Sequence, residues 1–115
     1  MKTEVCLSFY LRETRIMVYT SVLRALGSPS RICFMISENG DNLLISPYEK
    51  KDLKSHSVPA RVYSGTDSMR VNSYALCHII AELHGWDLMR SYRIPGEVFP
   101  EKKVAIFHLK EAKVI

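Results

Sequence analysis

The fold is decided by one stretch of the chain, residues 15–27, which reads RIMVYTSVLRALG. Ile16 and Val18 place β-branched residues at alternate positions, a pattern that predicts a short strand. Two further apolar runs follow a polar break, RICFMIS at residues 31–37 and LLISP at residues 43–47. The order of these patterns predicts a strand, a helix and then a hairpin.

The helix of this stretch has recognisable ends and one apolar face. Thr20 or Ser21 can cap its first turn, because a short hydroxyl side chain accepts a hydrogen bond from a backbone N–H that is free there. Its apolar face consists of Val22, Leu23 and Leu26, which recur at helical spacing. Gly27 suits the position after the last turn, and Pro29 prevents continuation. A helix this short is unstable alone, so it must pack on a sheet.

Asn39 and Gly40 stand between the two apolar runs and indicate a type I′ hairpin turn, whose two central residues need positive φ. Such a turn pairs Ile36 with Leu43, Met35 with Leu44 and Phe34 with Ile45. Both faces of the hairpin are then apolar, so both need cover. This favours a closed barrel, a sandwich or an obligate dimer over an open sheet.

The second part of the chain repeats this order of elements. Val18 aligns with Val71 and Leu23 with Leu76. Each half then reads strand, strand, short helix, strand, strand, which is the pattern of an internal repeat. We expect an α+β, mainly β fold, in which two pseudo-symmetric ββαββ halves pack as one compact barrel-like domain over residues 1–115. The halves are residues 5–47 and 58–109, and a polar connector at residues 48–57 joins them.

The elements of the second half follow from local patterns. Residues 58–64 are predicted as its first strand, and residues 65–67 as a turn. Ser73 is expected to cap a helix that ends at Gly85. The core face predicted for that helix consists of Leu76, Ile79, Ile80 and Leu83. A Pro95-Gly96 irregularity is expected in the next strand, and the last six residues are expected to fray.

Composition points to one ordinary globular domain. The chain has 115 residues, of which 47% are hydrophobic and 24% charged, values typical of such domains. No apolar run approaches the length of a membrane span, and the N-terminus does not read as a secretory signal. An odd number of cysteines, Cys6, Cys33 and Cys77, without such a signal predicts reduced thiols in the cytoplasm.

Signatures of enzyme chemistry are missing from the sequence. His56, His78, His84 and His108 share no metal-ligand spacing with one another or with the cysteines. Asp52, Ser55 and His56 in the connector are of residue types that catalyse acid–base or nucleophilic reactions, but no nucleophile motif surrounds them. A capped polar loop is the simpler interpretation. We expect no metal, no cofactor and no enzymatic activity.

Positive charge is concentrated in two groups, although the formal net charge is only +4. The first group is Arg12, Arg15, Arg24 and Arg31, with only Glu13 among them. The second is Lys50, Lys51 and Lys54 around Asp52. Each group is either a solvated face or a surface for an anionic partner. Arginine suits DNA in particular, because its planar fork binds phosphate or guanine through two hydrogen bonds.

The spacing Arg-Ile-x-Val-x-x-x-Val-x-Arg-x-Leu-Gly at residues 15–27 resembles the AbrB/SpoVT swapped-hairpin family of bacterial transition-state regulators. Arg15 aligns with the arginine of that family's motif, Arg24 with the second of its helix arginines, and Leu26 and Gly27 with its Leu-Gly pair. The resemblance covers about 35 residues of the first half and, more faintly, the second. Two copies in one chain resemble the MraZ arrangement of that superfamily.

This resemblance implies a DNA-binding transcription regulator that contacts duplex DNA through Arg12, Arg15, Arg24 and Arg31. The alternative, from another class, is a non-enzymatic protein-interaction or structural module of a bacterial mobile element that keeps the fold without binding DNA. A second copy of the chain is a further candidate partner, and a membrane is not expected. Convergence of the arginines on one surface favours DNA, whereas scattering among carboxylates favours the interaction module.

Overall fold

The structure is a computed structural model that describes residues 2–65 and 68–115. Within these residues the chain forms nine strands, most of which alternate apolar and polar side chains, and three α-helices. The strands are β1 (Thr3–Tyr10), β2 (Arg15–Val18), β3 (Arg31–Ile36), β4 (Asn42–Pro47), β5 (Ser55–Ser57), β6 (Met69–Asn72), β7 (Ser91–Phe99), β8 (Val104–His108) and β9 (Lys113–Val114). The helices are α1 (Thr20–Ala25), α2 (Arg61–Ser64) and α3 (Tyr74–His84). The expected mainly β domain is confirmed, with 42% of residues in strands.

All the strands belong to one antiparallel sheet with the order β5-β3-β4-β8-β7-β1-β2-β6, and β9 also pairs with β7. The sheet curls into a nearly closed, barrel-like body. Its inner face carries a single cluster of buried side chains that includes Phe9, Ile16, Leu43 and Phe107. Both ends of the chain thus contribute to one core, as a barrel requires.

The β3–β4 hairpin has the predicted register, with Ile36 opposite Leu43 and Phe34 opposite Ile45. Its turn is not type I′, because only Gly40 of the central pair has positive φ (78°). The Asn39 side chain explains the difference: its Oδ1 accepts hydrogen bonds from Ser37 Oγ at 2.7 Å and from the Asp41 backbone N–H at 3.0 Å. This local bonding holds Asn39 in a turn of another type without moving the strands.

Helix α1 packs on β1 and β7 through the predicted face, and Leu26 is only 2% exposed. Gly27 follows it with φ of 92°, as predicted for a residue that ends a helix. The predicted cap is wrong, because the N-cap residue is Tyr19 and it makes no side-chain capping bond. Thr20 lies one residue inside the helix, where its Oγ1 donates to the Val62 carbonyl at 3.3 Å.

Helix α3 has the predicted ends, since Ser73 Oγ accepts from the Leu76 N–H at 3.2 Å and Gly85 has φ of 65°. Its predicted core face is partly wrong: Ile79 and Leu83 are 50% and 56% exposed. Ile80 is buried as predicted, and Leu76 packs partly buried against the core. The other buried residues are the small Cys77 and Ala81, while the bulkier Ile79 and Leu83 face outward.

Three segments differ from their predicted conformation. Residues 58–64 are not a strand, because Pro59 opens a helical turn by accepting from the Val62 N–H at 3.0 Å; the strand here is β5, which pairs with β3. Pro95 does not interrupt β7. On one side of β7, β9 pairs with residues up to Arg93 and β8 pairs from Gly96 onward, so the position of Pro95, which lacks an N–H, falls between these two partners. The C-terminal residues form β9 instead of fraying. Of the turn predicted at residues 65–67, Thr66 and Asp67 lie outside the described residues.

Candidate nucleic-acid interface

A row of side chains crosses five strands on the outer face of the sheet. Four strand pairs define the row. Lys113 of β9 is opposite Arg93 of β7, which is opposite Ser8 of β1. Ser8 is opposite Met17 of β2, which is opposite Arg70 of β6. Directly opposed residues of an antiparallel pair point to the same face. The alternate positions of these strands are buried, so the row faces outward. Cations therefore stand at both ends of the row.

A second row lies two residues further along the same strands. It consists of Ser91, Tyr10, Arg15 and Asn72, again in direct register. Arg15 is thus a diagonal neighbour of Arg70, at a Cα separation of about 7–8 Å for such positions. We call the two rows, together with Arg12 in the adjoining turn, the basic face. It combines five cations with the aromatic ring of Tyr10 and contains no carboxylate within the two rows.

The cations of the basic face form no ion pair among the residues that the structure describes. This holds for Arg12, Arg15, Arg70, Arg93 and Lys113. The carboxylates Glu4 and Glu97 face each other two rows away, and His108 Nε2 lies 2.9 Å from Glu97 Oε1. Glu111 lines a cavity together with Arg93 and Lys113. The charged side chains within the two rows are all positive, and such a group attracts an anion.

Two of the four arginines predicted as DNA contacts are elsewhere and already bonded. Arg24 Nη2 donates to the Tyr63 carbonyl at 2.9 Å, which holds α1 against α2. Arg31 Nε donates to Ser55 Oγ at 2.8 Å, between β3 and β5. The structure thus brings Arg12 and Arg15 together on the basic face and leaves Arg24 and Arg31 outside it.

Sequence reasoning missed Arg93 and Lys113 and assigned Arg70 no role. Arg70 and Arg93 lie on the outward side of alternating strands, which is a signal present in the sequence, whereas β9 has only two residues and both are exposed. The pattern does not reveal which strands are neighbours, however, and β7 is far from β1 in the chain. Only the pairing of β7 with β1 brings Arg93 next to Ser8.

Tyr19 covers part of the basic face, since its hydroxyl lies 2.6 Å from Ser8 Oγ. This contact explains why Ser8 is fully buried although it belongs to the outer face. A cavity of about 520 Å³ lies beside Tyr19 and Arg93, and a second of about 810 Å³ lies between Arg93 and Lys113. The surface around Arg93 is therefore concave on both sides, with room for phosphate or sugar groups, and one carboxylate side chain lines each cavity, Glu4 the smaller and Glu111 the larger.

Asp52, Ser55 and His56, the residues with possible catalytic chemistry, each contact another side chain. Asp52 Oδ2 accepts from the Tyr48 hydroxyl at 2.8 Å, a bond that lowers the pKa of Asp52. Ser55 is bonded to Arg31, and the His56 ring meets the ring of Phe34 edge-on. Burial lowers the pKa of His56, with a further contribution from the charge of Arg31. Each of the three side chains thus has its own structural partner.

No group of three or more His, Cys, Asp or Glu residues within the described ranges could hold a metal ion. Within the same ranges, none of the helices has the length and apolar character needed to cross a membrane. Comparisons with protein-family models, with curated proteins and with solved structures gave no match.

Proposed function

We propose that the protein is a non-enzymatic, cytoplasmic DNA-binding regulator of AbrB/SpoVT type that contacts duplex DNA through the basic face. The observation that carries the proposal is the register that aligns Lys113, Arg93 and Arg70 across five strands without an ion pair among the described residues. Unpaired cations on a polyanion release condensed counterions, which is the main source of sequence-independent DNA affinity.

The spacing of the cations suits a duplex. Three strand intervals separate Arg93 from Arg70, which amounts to about 14 Å at roughly 4.8 Å per interval. This is close to the width of the major groove of B-DNA, about 12 Å. Arg93 and Arg70 can therefore reach phosphates on the two sides of one groove. Arg15 lies in the second row beside Arg70, where its guanidinium can reach a base edge or a further phosphate.

The direct test is a fluorescence anisotropy titration of a labelled, mixed-sequence duplex over a range of salt concentrations. If about four phosphates are contacted, log affinity should fall against log salt with a slope of roughly −3.6. Arg93→Ala and Arg70→Ala should each flatten that slope by about 0.9 and weaken binding to all sequences alike. Arg15→Ala should do the same if Arg15 contacts phosphate, or relax sequence preference if it reads a base.

The matched controls are cations outside the basic face. Lys51→Ala removes an exposed charge in the loop after β4, and the slope should not change. Arg31→Ala tests an arginine assigned to DNA by the resemblance but bonded to Ser55. Absence of binding at tens of micromolar protein in low salt, where non-specific binders ordinarily show themselves, contradicts the proposal. An equal effect of Lys51→Ala contradicts the assigned surface.

A protein-interaction module is the second candidate function, and one observation favours it. Met35, Ile79 and Leu83 are each at least half exposed on one side of the molecule. Exposed apolar groups that lie together often mark a contact with another protein. This role becomes the leading one if the DNA titration is negative.

We also propose that the chain is an internal duplication of two pseudo-symmetric ββαββ halves. The alignment that equates Val18 with Val71 also equates Met17 with Arg70, and these two residues are direct partners in the β2–β6 pair. If a two-fold axis relates the halves and passes between β2 and β6, the residue at the axis must face its own equivalent in the other half, as Met17 faces Arg70. The first strands support it too if the second half begins at β5, within the predicted connector, and not at residue 58: β1 of the first half pairs with β7 of the second, and β5 of the second pairs with β3 of the first. An experimental structure whose halves fail to superpose contradicts the duplication.

A further inference from the structure

An apolar groove runs along helix α3, on a side of the molecule that no residue of the basic face lines. Its floor is the outer side of β3, with Cys33 and Met35, and its far wall includes Leu53 and Lys54. Helix α3 forms the near wall through Leu76 and Ile79 among others. The cavity measures about 710 Å³. We call this feature the α3 groove.

The rim of the α3 groove is a ridge of exposed apolar side chains. Ile79 and Leu83 stand one helical turn apart on α3 and are 50% and 56% exposed, and Met35 is 58% exposed across the groove. Leu83 overlies the β3–β4 turn, where a Cβ built on Gly40 would lie 3.6 Å from Leu83 Cδ1. The same surface thus carries exposed apolar side chains beside an apolar groove.

The charges along the groove differ in sign between its two ends. Lys54 lines the groove together with Ser73 and Ala75 at the start of α3. Of the carboxylates in the same loop, Glu49 accepts from Ser30, and Asp52 accepts from the hydroxyl of Tyr48, which also lines the groove. Glu38 lies at the opposite end, in the turn beneath Leu83. The dipole of the 11-residue helix α3 adds charge of the same sign at each end, because its positive N-terminus lies near Lys54 and its negative C-terminus lies near the turn that contains Glu38.

We propose that the α3 groove is the interface of a two-fold symmetric homodimer. A two-fold axis perpendicular to α3 sets the two copies of the helix antiparallel, so that the ridge of each copy enters the groove of the other. The same operation places Lys54 of one copy near Glu38 of the other and opposes the two helix dipoles. A uniformly acidic peptide meets repulsion at the Glu38 end, which is why a second copy fits this surface better. The proposal does not depend on DNA binding.

Sedimentation velocity from low micromolar to millimolar protein tests the interface. The wild-type chain should show a concentration-dependent equilibrium between monomer and dimer. Ile79→Glu should raise the dimer dissociation constant by roughly tenfold or more, because it places a charge at the centre of an apolar contact. The matched control is Met89→Glu, at a residue that is 66% exposed in the loop after α3 and should leave the equilibrium unchanged. Circular dichroism verifies that each variant keeps the fold.

Charge exchange tests the orientation of the two copies. Lys54→Glu and Glu38→Lys should each weaken the dimer, and the double variant should recover wild-type association because every cross-copy pair is restored with reversed signs. A wild-type chain that stays monomeric at millimolar concentration overturns the proposal and leaves the groove to another protein. A dimer that Ile79→Glu leaves intact, or a double variant as weak as the single ones, overturns the assigned interface.

Discussion

At the scale of the residue, Gly96 has the least room for a side chain of the five glycines in the chain. It lies in the middle of β7, between Val5 of β1 and Phe107 of β8. A Cβ at this position would lie 2.3 Å from the Ile106 carbonyl oxygen and 2.6 Å from Phe107 Cδ1. Since one contact is with backbone, the clash cannot be relieved by a rotamer change alone. The close approach of β7 to β8 thus depends on the absence of a side chain.

We expect Gly96→Ala to lower the free energy of unfolding by about 1–3 kcal/mol, the usual cost of overpacking a core. Gly65→Ala is the matched control, because the nearest atom to a Cβ there, the Arg61 carbonyl oxygen, is 3.9 Å away. That variant should change stability by no more than about 0.5 kcal/mol. Urea denaturation followed by Trp86 fluorescence measures both. Equal stability of the two variants would contradict the packing described for β7 and β8.

The three thiols should differ in reactivity because they differ in burial. Cys77 is fully buried, and burial raises the pKa of its thiol from 9.0 to about 11. Cys33 is 8% exposed, and Cys6 is half-buried beside the cavities that flank Arg93. Since the thiolate is the nucleophile, Cys6 should react first with a thiol reagent at neutral pH and Cys77 last. Mass spectrometry of the time course measures the order.

Denaturation without reductant should allow three labels per chain, and a single label would reveal an intramolecular disulfide. The raised pKa of Cys77 also has a consequence for stability. The folded protein holds this proton more tightly than the unfolded chain, so the contribution of the thiol is complete below pH 9 and is lost as pH rises through about 11. Cys77→Ser should reduce this part of the alkaline loss of stability.

At the scale of the element, the short helix α1 is stable only because of what it packs against. Val22, Leu23 and Leu26 are buried against the barrel. Its polar side is fastened to α2, where Arg24 donates to the Tyr63 carbonyl and the Tyr63 hydroxyl donates to the Pro29 carbonyl at 2.6 Å. An isolated helix of this length has little stability in water. Its side chains therefore act through tertiary contacts.

Leu26→Ala should destabilise the protein by about 2–5 kcal/mol, the range for truncation of a core leucine. The control is Met89→Ala, because Met89 is 66% exposed in the loop after α3, outside both proposed surfaces, and its loss should cost less than about 0.5 kcal/mol. Thermal and urea melts of both variants measure the difference. A cost well under 1 kcal/mol for Leu26→Ala would mean that α1 does not rely on this contact.

At the scale of the whole molecule, one core supports two separate surfaces. The core cluster draws on every long strand and on helices α1 and α3. The basic face lies outside β9, β7, β1, β2 and β6, whereas the α3 groove lies outside β3 and beside α3. The two surfaces share no residue, although they adjoin where Ser73, which lines the groove, follows Asn72 of the basic face. Variants away from this junction, such as those of Arg93 and Ile79, should each leave the function of the other surface unchanged.

Much of the local structure was predictable from the sequence. The β3–β4 register follows from the apolar pattern, since a slip by one residue would turn every inward side chain outward. The ends of α3 follow from Ser73 and Gly85, whose capping roles depend on local chemistry. The resemblance to a swapped-hairpin family stays a prediction. Segments governed by local bonding, such as the turn at Asn39, were predictable in position but not in type.

The sequence by itself determined strands β2, β3 and β4, the end of α1 and both ends of α3, because these properties depend on neighbours within a few residues. It did not predict β5, β9 or the start of α1. Only the tertiary structure decided which strands lie side by side. That choice places Arg93 and Lys113 in one row with Arg70, uses Arg24 and Arg31 in internal bonds, and turns Ile79 and Leu83 outward. Strand pairing depends on contacts between residues far apart in the chain, and no local pattern encodes them.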